Sequence, residues 1–256
     1  MTVDGPLRRA ARRLVPETLR QWVRLLEQRG TWVPPVGGVR FGSLRRLEPI
    51  SREYGFDRGQ PIDRYYVEGF LARHATDVRG RVLEIKENTY TTRFGGDRVA
   101  TADVLCLEAD APHATIVGDL TCAPQIPSGA YDCAIVTQTL QLIYDVRAAL
   151  ATLHRVLKPG GVLLVTVPGI SQVSPHADWG DRWAWGFTAS SARALCEEAF
   201  GAGQVAVETH GNVMAAVAYL HGLAARELRP SELDHRDPEY QLSICARAVK
   251  RAESAP

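Results

Sequence analysis

The sequence predicts an α/β fold in which a doubly wound, mostly parallel sheet carries helices on both faces. Two observations predict it. Short continuous apolar runs recur along the chain, which is typical of strands covered on both sides, and segments of helical period separate the later runs. Five such runs lie at residues 81–85, 104–107, 114–117, 131–137 and 162–167. Two alternating segments, 204–209 and 241–248, complete a predicted sheet of seven strands.

Capping residues predict where the helices begin. Asp63, Asp145 and Thr188 each precede a segment of helical period, and a short side-chain acceptor is favoured at such starts. The first of these helices is expected to run to about residue 74. A further segment of helical period covers 213–228. Between the first two strands, residues 89–102 contain two adjacent glycines and leave room for one or two helical turns.

The chain is predicted to consist of a helical N-terminal extension and one α/β domain. In residues 1–42, Pro16 opens a short amphipathic helix, and a linker rich in proline and glycine follows. Residues 43–250 form the domain, which includes a helical segment at 56–76. Residues 251–256 are expected to be a disordered tail.

Composition excludes several classes of function. The net charge of +1 lacks the basic excess of nucleic-acid binders, and no apolar run approaches the length of a membrane span. With no signal peptide at the start, a cytoplasmic location is the expectation. The five cysteines are scattered without a C-x-x-C pair, and the histidines show no metal-binding spacing, so no metal site is expected.

Four motifs follow the predicted strands in order. Val82-Leu83-Glu84-Ile85 ends the first strand with an acid, Glu108 follows the second, Gly118-Asp119-Leu120 follows the third, and residues 157–164 (LKPGGVLL) lead into the fifth. In this order, the segment from about residue 80 to 250 resembles the class I S-adenosylmethionine (SAM)-dependent methyltransferases. The resemblance implies a Rossmann-like fold, SAM as cofactor and a small-molecule acceptor.

The resemblance also assigns roles at the strand ends. Glu108 would accept hydrogen bonds from both ribose hydroxyls, which suits a bidentate carboxylate. Asp119, with Leu120 beside it, would meet the adenine. Glu84 would end the first strand at the cofactor, and Gln138, after the fourth strand, would face the methyl group.

The loop after the first strand departs from the family pattern. The family has three glycines there, and this chain has Lys86, Asn88 and Tyr90. Asn88, followed by Thr89, is expected to turn the chain, because asparagine tolerates left-handed geometry. Lys86 either pairs with the methionine carboxylate of the cofactor or fills part of the pocket. The alternative to methyl transfer is therefore a protein of this fold whose transfer is weak or lost, acting in another reaction or as a non-catalytic partner. A nicotinamide-dependent oxidoreductase is disfavoured because no G-x-G-x-x-G follows the first strand.

The segment 56–66 (FDRGQPIDRYY) resembles a block found upstream of the first strand in some bacterial members of the family. The resemblance implies a helix within 56–76 that covers the cofactor. Arg64, Tyr65 and Tyr66 are its candidate contacts.

The acceptor side is predicted from the later loops. A hydroxyl acceptor needs a base within about 3 Å of its proton, and His176 and Asp181 in the loop after the fifth strand are the candidates. Methyl transfer itself would be an in-line displacement without a metal ion, onto a small-molecule or sugar-containing acceptor, as in secondary-metabolite or sugar modification. A homodimer stays open. The residues expected to line the acceptor pocket are Trp179, Trp183, His210 and Asn212.

Overall fold

The structure is a computed structural model that describes Pro16 and residues 34–173 and 182–252. The chain divides into two units, residues 1–47 and 48–256. In the first unit, the described part contains one 3₁₀ turn, Gly42–Leu44. The predicted N-terminal helix and most of the predicted tail lie outside the described residues.

In the part of the second unit that is described, seven strands form one sheet in the order β3-β2-β1-β4-β5-β7-β6. The first five strands are parallel, and β7 runs antiparallel between β5 and β6. This arrangement confirms the predicted doubly wound, mostly parallel sheet. The strands are β1 (Gly80–Ile85), β2 (Val99–Cys106), β3 (Ile116–Val117), β4 (Tyr131–Thr137), β5 (Leu157–Pro168), β6 (Val205–His210) and β7 (Ser243–Val249).

Helices cover the two faces of the sheet. They are α1 (Ile62–Arg73), α2 (Val146–Val156), α3 (Ala189–Phe200), α4 (Val213–Leu220) and α5 (Pro230–Asp234). On one face, α2 and α3 pack on a core that includes Leu83 and Leu163. On the other, α1 packs on Val82 and Leu164, while its first residue belongs to a separate cluster with α4 and α5. No helix in the described ranges is long and apolar enough to cross a bilayer.

Two of the three predicted helix starts are confirmed. Ala148 N donates to Asp145 Oδ1 at 3.0 Å, and Ser191 N donates to Thr188 Oγ1 at 3.2 Å. The prediction that Asp63 caps α1 is wrong. Pro61 occupies the cap position, and Asp63 is the second residue of the helix and only 8% exposed. Proline fixes a backbone angle that suits a helix start, which places Asp63 inside the first turn.

Two elements have other bounds than the sequence predicts. β2 begins at Val99, before the predicted run at 104–107, and includes Asp103, which accepts from Arg81 Nε at 2.7 Å and from Tyr131 Oη at 3.0 Å. The predicted helix at 213–228 ends instead at Leu220. Gly222 follows with a φ of 70°, and a Cβ there would lie 2.2 Å from Ser51 O. The turn at Gly222 therefore requires glycine.

Candidate active site

The register of the sheet brings the predicted cofactor residues to one edge. Cys106 of β2 pairs with Val117 of β3, and Glu108 and Asp119 each follow two residues beyond that pair. Both carboxylates therefore leave neighbouring parallel strands at the same level. In open α/β sheets, this edge is where ligands bind.

Glu108 presents its carboxylate to an open surface. Its side chain is 58% exposed, and its nearest ionic partner is Arg182, whose Nη1 lies 3.7 Å from Glu108 Oε1. Asp119 is also exposed, and its Oδ1 accepts a hydrogen bond from Thr121 N at 2.8 Å, which shapes the turn after β3. Leu120 differs from these two acids because its side chain is buried in the core. Of the predicted adenine contacts, only Asp119 offers a side chain to a ligand.

Glu84 shapes the loop after β1. It is 2% exposed, and its two oxygens accept hydrogen bonds from Tyr90 N at 3.2 Å and Thr91 N at 2.7 Å. Burial raises the pKa of this carboxyl, and the two backbone donors oppose that shift. Glu84 therefore supports the loop that would hold the ligand, and its direct contact with the cofactor stays a prediction.

The loop turns at Lys86. Lys86 has a φ of 75°, in the left-handed region that favours glycine, whereas Asn88 is outside that region. The prediction that Asn88 provides the left-handed turn is therefore wrong. Lys86 is exposed, so it fills no closed cavity. The Asn88 carbonyl accepts from Thr92 N at 2.9 Å, and Thr89 Oγ1 donates to Glu87 Oε2 at 3.0 Å.

The end of β4 holds two glutamines with unused polar atoms. Gln138 has a φ of 48°, and its Nε2 is buried without a hydrogen-bond partner in the described part of the chain. Gln141 is 3% exposed; its Nε2 donates to Gln138 O at 2.8 Å, and its Oε1 is buried and unpartnered in the same sense. Such atoms are rare in proteins without a ligand or water, so this edge is suited to a polar ligand.

Helix α1 brings only some of its predicted contacts toward the site. Tyr66 is buried, its hydroxyl donates to Leu233 O at 2.9 Å, and its ring stacks on His210 at 5.3 Å. Tyr65 Oη donates to Asp234 Oδ1 at 2.7 Å. Both tyrosines therefore fasten α1 to α5 and the end of β6, and their role at the cofactor stays a prediction. Arg64, in contrast, interacts electrostatically with Tyr90 and Glu87 of the loop after β1.

Three predicted acceptor-side residues, His176, Asp181 and Trp179, lie outside the described residues. Trp183 is half-buried and packs against the cluster formed by α1, α4 and α5. Two residues further along, Trp185 stacks on Tyr144 with ring centroids 5.7 Å apart, and both rings are exposed. Aromatic side chains therefore border the described side of this loop.

Asn212 and His210 have structural partners. Asn212 Oδ1 accepts from Ala215 N at 2.9 Å, and its Nδ2 donates to Glu232 O at 2.6 Å and His235 O at 2.7 Å. His210 Nε2 lies 3.3 Å from Glu208 Oε1, and its ring stacks on Tyr66. Their polar groups hold α4 and the end of β6, and their place in the acceptor pocket stays a prediction.

The ligand atoms of Glu208, His210 and Cys245 lie within 4.8 Å of one another. The guanidinium of Arg73 bonds Glu208 and lies 3.3 Å from His210 Nε2. Because this cation already neutralises the carboxylate, the group is a charge cluster between α1 and the sheet.

Sequence reasoning missed Gln141, Arg182 and the burial of Asp63. Gln141 carried a usable signal, since it is a polar residue in an apolar segment just beyond a strand that ends at the predicted site. Arg182 carried none, because its approach to Glu108 joins segments that are far apart in the sequence.

A comparison with known protein families covers the part of the chain that forms this edge of the sheet. Residues 69–165, which contain β1 to β4 and most of β5, match the methyltransferase domain family. The matched segment is therefore similar to methyltransferase domains. This match supports the predicted family and its cofactor, SAM.

Individual relatives are more distant. Malonyl-[acyl-carrier protein] O-methyltransferase of Serratia marcescens is 31% identical over 97 residues, which are 36% of this chain and 36% of that protein. The matched segment thus spans about a third of the length of the curated relative. The likeness supports methylation in general and leaves the acceptor to be proposed.

Solved structures show the same fold. A SAM-dependent methyltransferase from Archaeoglobus fulgidus is 11% identical and has a TM-score of 0.50, covering 73% of this chain and 94% of that one. A SAM-dependent methyltransferase from Thermotoga maritima is 17% identical with a TM-score of 0.49, covering 74% and 92% respectively. The first of these supports the Rossmann-like methyltransferase fold of the chain.

The residues at the strand ends fit SAM. Exposed carboxylates stand at the ends of β2 and β3, and buried, unpartnered amide atoms of Gln138 and Gln141 lie beside the end of β4. An adenosyl group offers hydroxyl and amino donors to the carboxylates. The two amides provide both a donor and an acceptor where the reacting end of the cofactor would lie.

Proposed function

We propose that this chain transfers the methyl group of SAM to a hydroxyl of a small-molecule or sugar-containing acceptor. The observation that carries the proposal is the alignment of open carboxylates and unpartnered buried amides along one edge of the sheet. Glu108 and Asp119 supply the carboxylates, and Gln138 and Gln141 supply the amides. Unused buried polar atoms are costly, so they favour a site that a polar ligand completes.

The side chains have distinct roles in this proposal. SAM supplies an electrophilic methyl group on a sulfonium. Glu108 accepts from the ribose hydroxyls, Asp119 accepts from the adenine amino group, and the backbone around Lys86 and Asn88 borders the methionyl part. Gln138 orients the reacting end of SAM or the acceptor. Its amide donates and accepts hydrogen bonds and cannot act as a general base. In-line transfer depends on this positioning and on the exclusion of water.

A hydroxyl acceptor also requires a base. We propose His176 and Asp181 for this role, since both belong to the loop that follows β5 at the same edge of the sheet. Trp179 and Trp183 of that loop are proposed to pack on the acceptor. In the neighbouring described segment, the exposed rings of Tyr144 and Trp185 offer faces of the kind that stack on sugars.

The glycine-poor loop favours a second candidate function, a protein of this fold in which methyl transfer is weak or lost. Three positions where the family has glycine are Lys86, Asn88 and Tyr90. In that case, the chain would act in another reaction or as a non-catalytic partner. The location in the cytoplasm, the absence of a nucleic-acid partner and the homodimer remain predictions.

Calorimetric titration with SAM and with S-adenosylhomocysteine (SAH) tests the cofactor proposal. Incubation with methyl-labelled SAM and a panel of hydroxylated small molecules and glycosides then tests transfer. We expect binding of both ligands and label on at least one acceptor. Binding without transfer to any acceptor supports the second candidate function. No binding of either ligand at millimolar concentration contradicts the proposed methyl transfer and also favours the second candidate.

The base is tested once an acceptor is known. His176→Ala and Asp181→Asn are compared with the unchanged protein under saturating SAM. A large loss of turnover with unaltered SAH affinity in one variant identifies the base. Unchanged turnover in both variants rejects both residues.

A further inference from the structure

Two adjacent residues in the first turn of α1 carry buried polar atoms that nothing in the described chain satisfies. Asp63 is 8% exposed and Arg64 has a side chain that is 25% exposed. Asp63 Oδ1 and Arg64 Nη1 are both buried without a hydrogen-bond partner in the described ranges. The two side chains approach each other, with Arg64 Nε 4.0 Å from Asp63 Oδ2, which is beyond hydrogen-bond distance. An anion and a cation thus stand side by side, each with an unused hydrogen-bonding atom.

This pair lies next to the loop after β1. Glu68 of α1 pairs with Arg93 Nη1 at 2.8 Å, and Tyr90 of the loop packs in the same cluster as Val67 of α1. The charges of Tyr90, Glu87 and Tyr219 of α4 act on the Arg64 guanidinium. Tyr219 is itself buried. Burial raises the pKa of the Asp63 carboxyl, whose charge is opposed by Glu68 and favoured by Arg64. A cationic group on a ligand would relieve this cost and keep Asp63 ionised.

Strand order predicts which part of the cofactor reaches the pair. Asp119 and Glu108 stand at the ends of β3 and β2, so they would hold the adenine and the ribose. The next strands in the sheet are β1 and then β4. The remaining part of SAM, its methionyl end, therefore extends over the loop after β1, where Arg64 lies.

We propose that Asp63 and Arg64 together bind the amino-acid end of the cofactor. Arg64 donates to the α-carboxylate and Asp63 accepts from the α-ammonium. This inference rests on the proposed function and goes beyond it, because it assigns a recognition pair on α1 that lies outside the motifs of the strand ends. A guanidinium pairs with a carboxylate through two parallel hydrogen bonds, and an adjacent acid and base match a zwitterion in both charge and spacing.

Ligand dissection in the unchanged protein provides the first test. Calorimetry compares SAH with 5′-methylthioadenosine, which keeps the adenosine and the sulfur and lacks the amino-acid end, and with decarboxylated SAH. We expect SAH to bind at least about tenfold more tightly than either analogue. Equal affinity for SAH and decarboxylated SAH overturns the role of Arg64. If none of the three ligands binds, the proposed function fails, and that outcome is distinct from equal binding.

Variants provide the second test. Arg64→Gln is expected to weaken SAH binding at least about tenfold and to leave the affinity for 5′-methylthioadenosine within about twofold. Its affinities for SAH and decarboxylated SAH should be nearly equal. Asp63→Asn should weaken SAH and decarboxylated SAH to the same extent, because both keep the ammonium. Arg64→Lys, which keeps the charge and loses the planar pair of donors, should be intermediate.

Arg93→Gln is the matched control, since Arg93 follows the same loop, pairs with Glu68 at 2.8 Å and has a 54% exposed side chain. It should bind all three ligands as the unchanged protein does. Equal weakening of SAH and 5′-methylthioadenosine by Arg64→Gln indicates a general disturbance of the pocket and overturns the proposal. An unchanged SAH affinity with a raised KM for the acceptor also overturns it, and places Arg64 at the acceptor.

Discussion

Arg182 Nη1 lies 3.7 Å from Glu108 Oε1, so a residue beyond β5 reaches the carboxylate that follows β2. Both side chains are more than half exposed. An exposed pair of this kind contributes about 0–1 kcal/mol. In the proposed cofactor complex, ribose hydroxyls would therefore compete with Arg182 for the Glu108 carboxylate at little cost.

Glu108→Ala should weaken SAH binding by roughly 10–100-fold, because hydrogen bonds to a charged group contribute about 1.5–3 kcal/mol. The SAH affinity of Glu108→Gln should lie between those of the unchanged protein and Glu108→Ala. Asp110→Asn removes an acidic charge from the same exposed loop and is the control. Calorimetric titration gives the affinities. A Glu108→Ala protein that binds SAH as tightly as the Asp110→Asn protein contradicts the ribose assignment.

Lys86→Gly should stabilise the fold by about 1 kcal/mol relative to Lys86→Ala. Both variants lose the side chain, but only glycine adopts the φ of 75° at position 86 without strain. Urea unfolding measures the difference. Because Lys86 is exposed, we expect the SAH affinity of the two variants to agree within about threefold. A much tighter SAH complex in Lys86→Gly alone shows instead that a Cβ at this position obstructs the cofactor.

The sheet and its acids could be predicted because their signals are local. Four of the five continuous apolar runs are mostly buried, and an acid directly after such a run leaves the sheet at its edge. Glu108 and Asp119 follow this rule. Glu84 shows its limit, since an acid at a strand end can also turn inward to accept backbone N–H groups, as it does from Tyr90 and Thr91.

The parts that could not be predicted depend on competition or on distance. Asp63 and Pro61 both carry helix-start signals, and only the packing of the first turn decides between them. The left-handed residue is Lys86 although asparagine has the better intrinsic tolerance, because Lys86 N is held by Leu105 O of the neighbouring strand at 3.0 Å. Local propensity is overridden here by strand pairing.

Asn212→Ala should destabilise the protein by about 2–3 kcal/mol. It removes the cap of α4, which contributes about 1 kcal/mol, and it leaves the carbonyls of Glu232 and His235 without their donor. Asn212→Ser keeps a capping oxygen, so its loss of stability should be about half that of Asn212→Ala. Urea unfolding gives the stabilities, and SAH titration at low temperature should give unchanged affinity. An Asn212→Ala protein of unchanged stability and lowered turnover of the acceptor would contradict the structural role and support the predicted role at the acceptor.

Glu208→Gln should destabilise the protein at neutral pH and have little effect in acid. The hydrogen bond with His210, helped by Arg73, lowers the pKa of Glu208 to about 2 from an ordinary value of 4.5. A carboxyl with a lowered pKa stabilises the fold fully above its unfolded value, and this contribution is lost as the pH falls from about 4.5 to about 2. For this half-buried group, we expect Glu208→Gln to lower the free energy of unfolding at pH 7 by on the order of 2 kcal/mol, after discounting for solvent screening.

Urea unfolding from pH 7 downward measures this effect, and the stability difference between the two proteins should disappear as the pH falls from about 4.5 to about 2. Glu198→Gln is the control, because the Arg147–Glu198 pair has side chains that are 70% and 55% exposed, and it should change stability by less than about 0.5 kcal/mol at every pH. A Glu208→Gln penalty that stays constant with pH means that the side chain contributes packing and no charge.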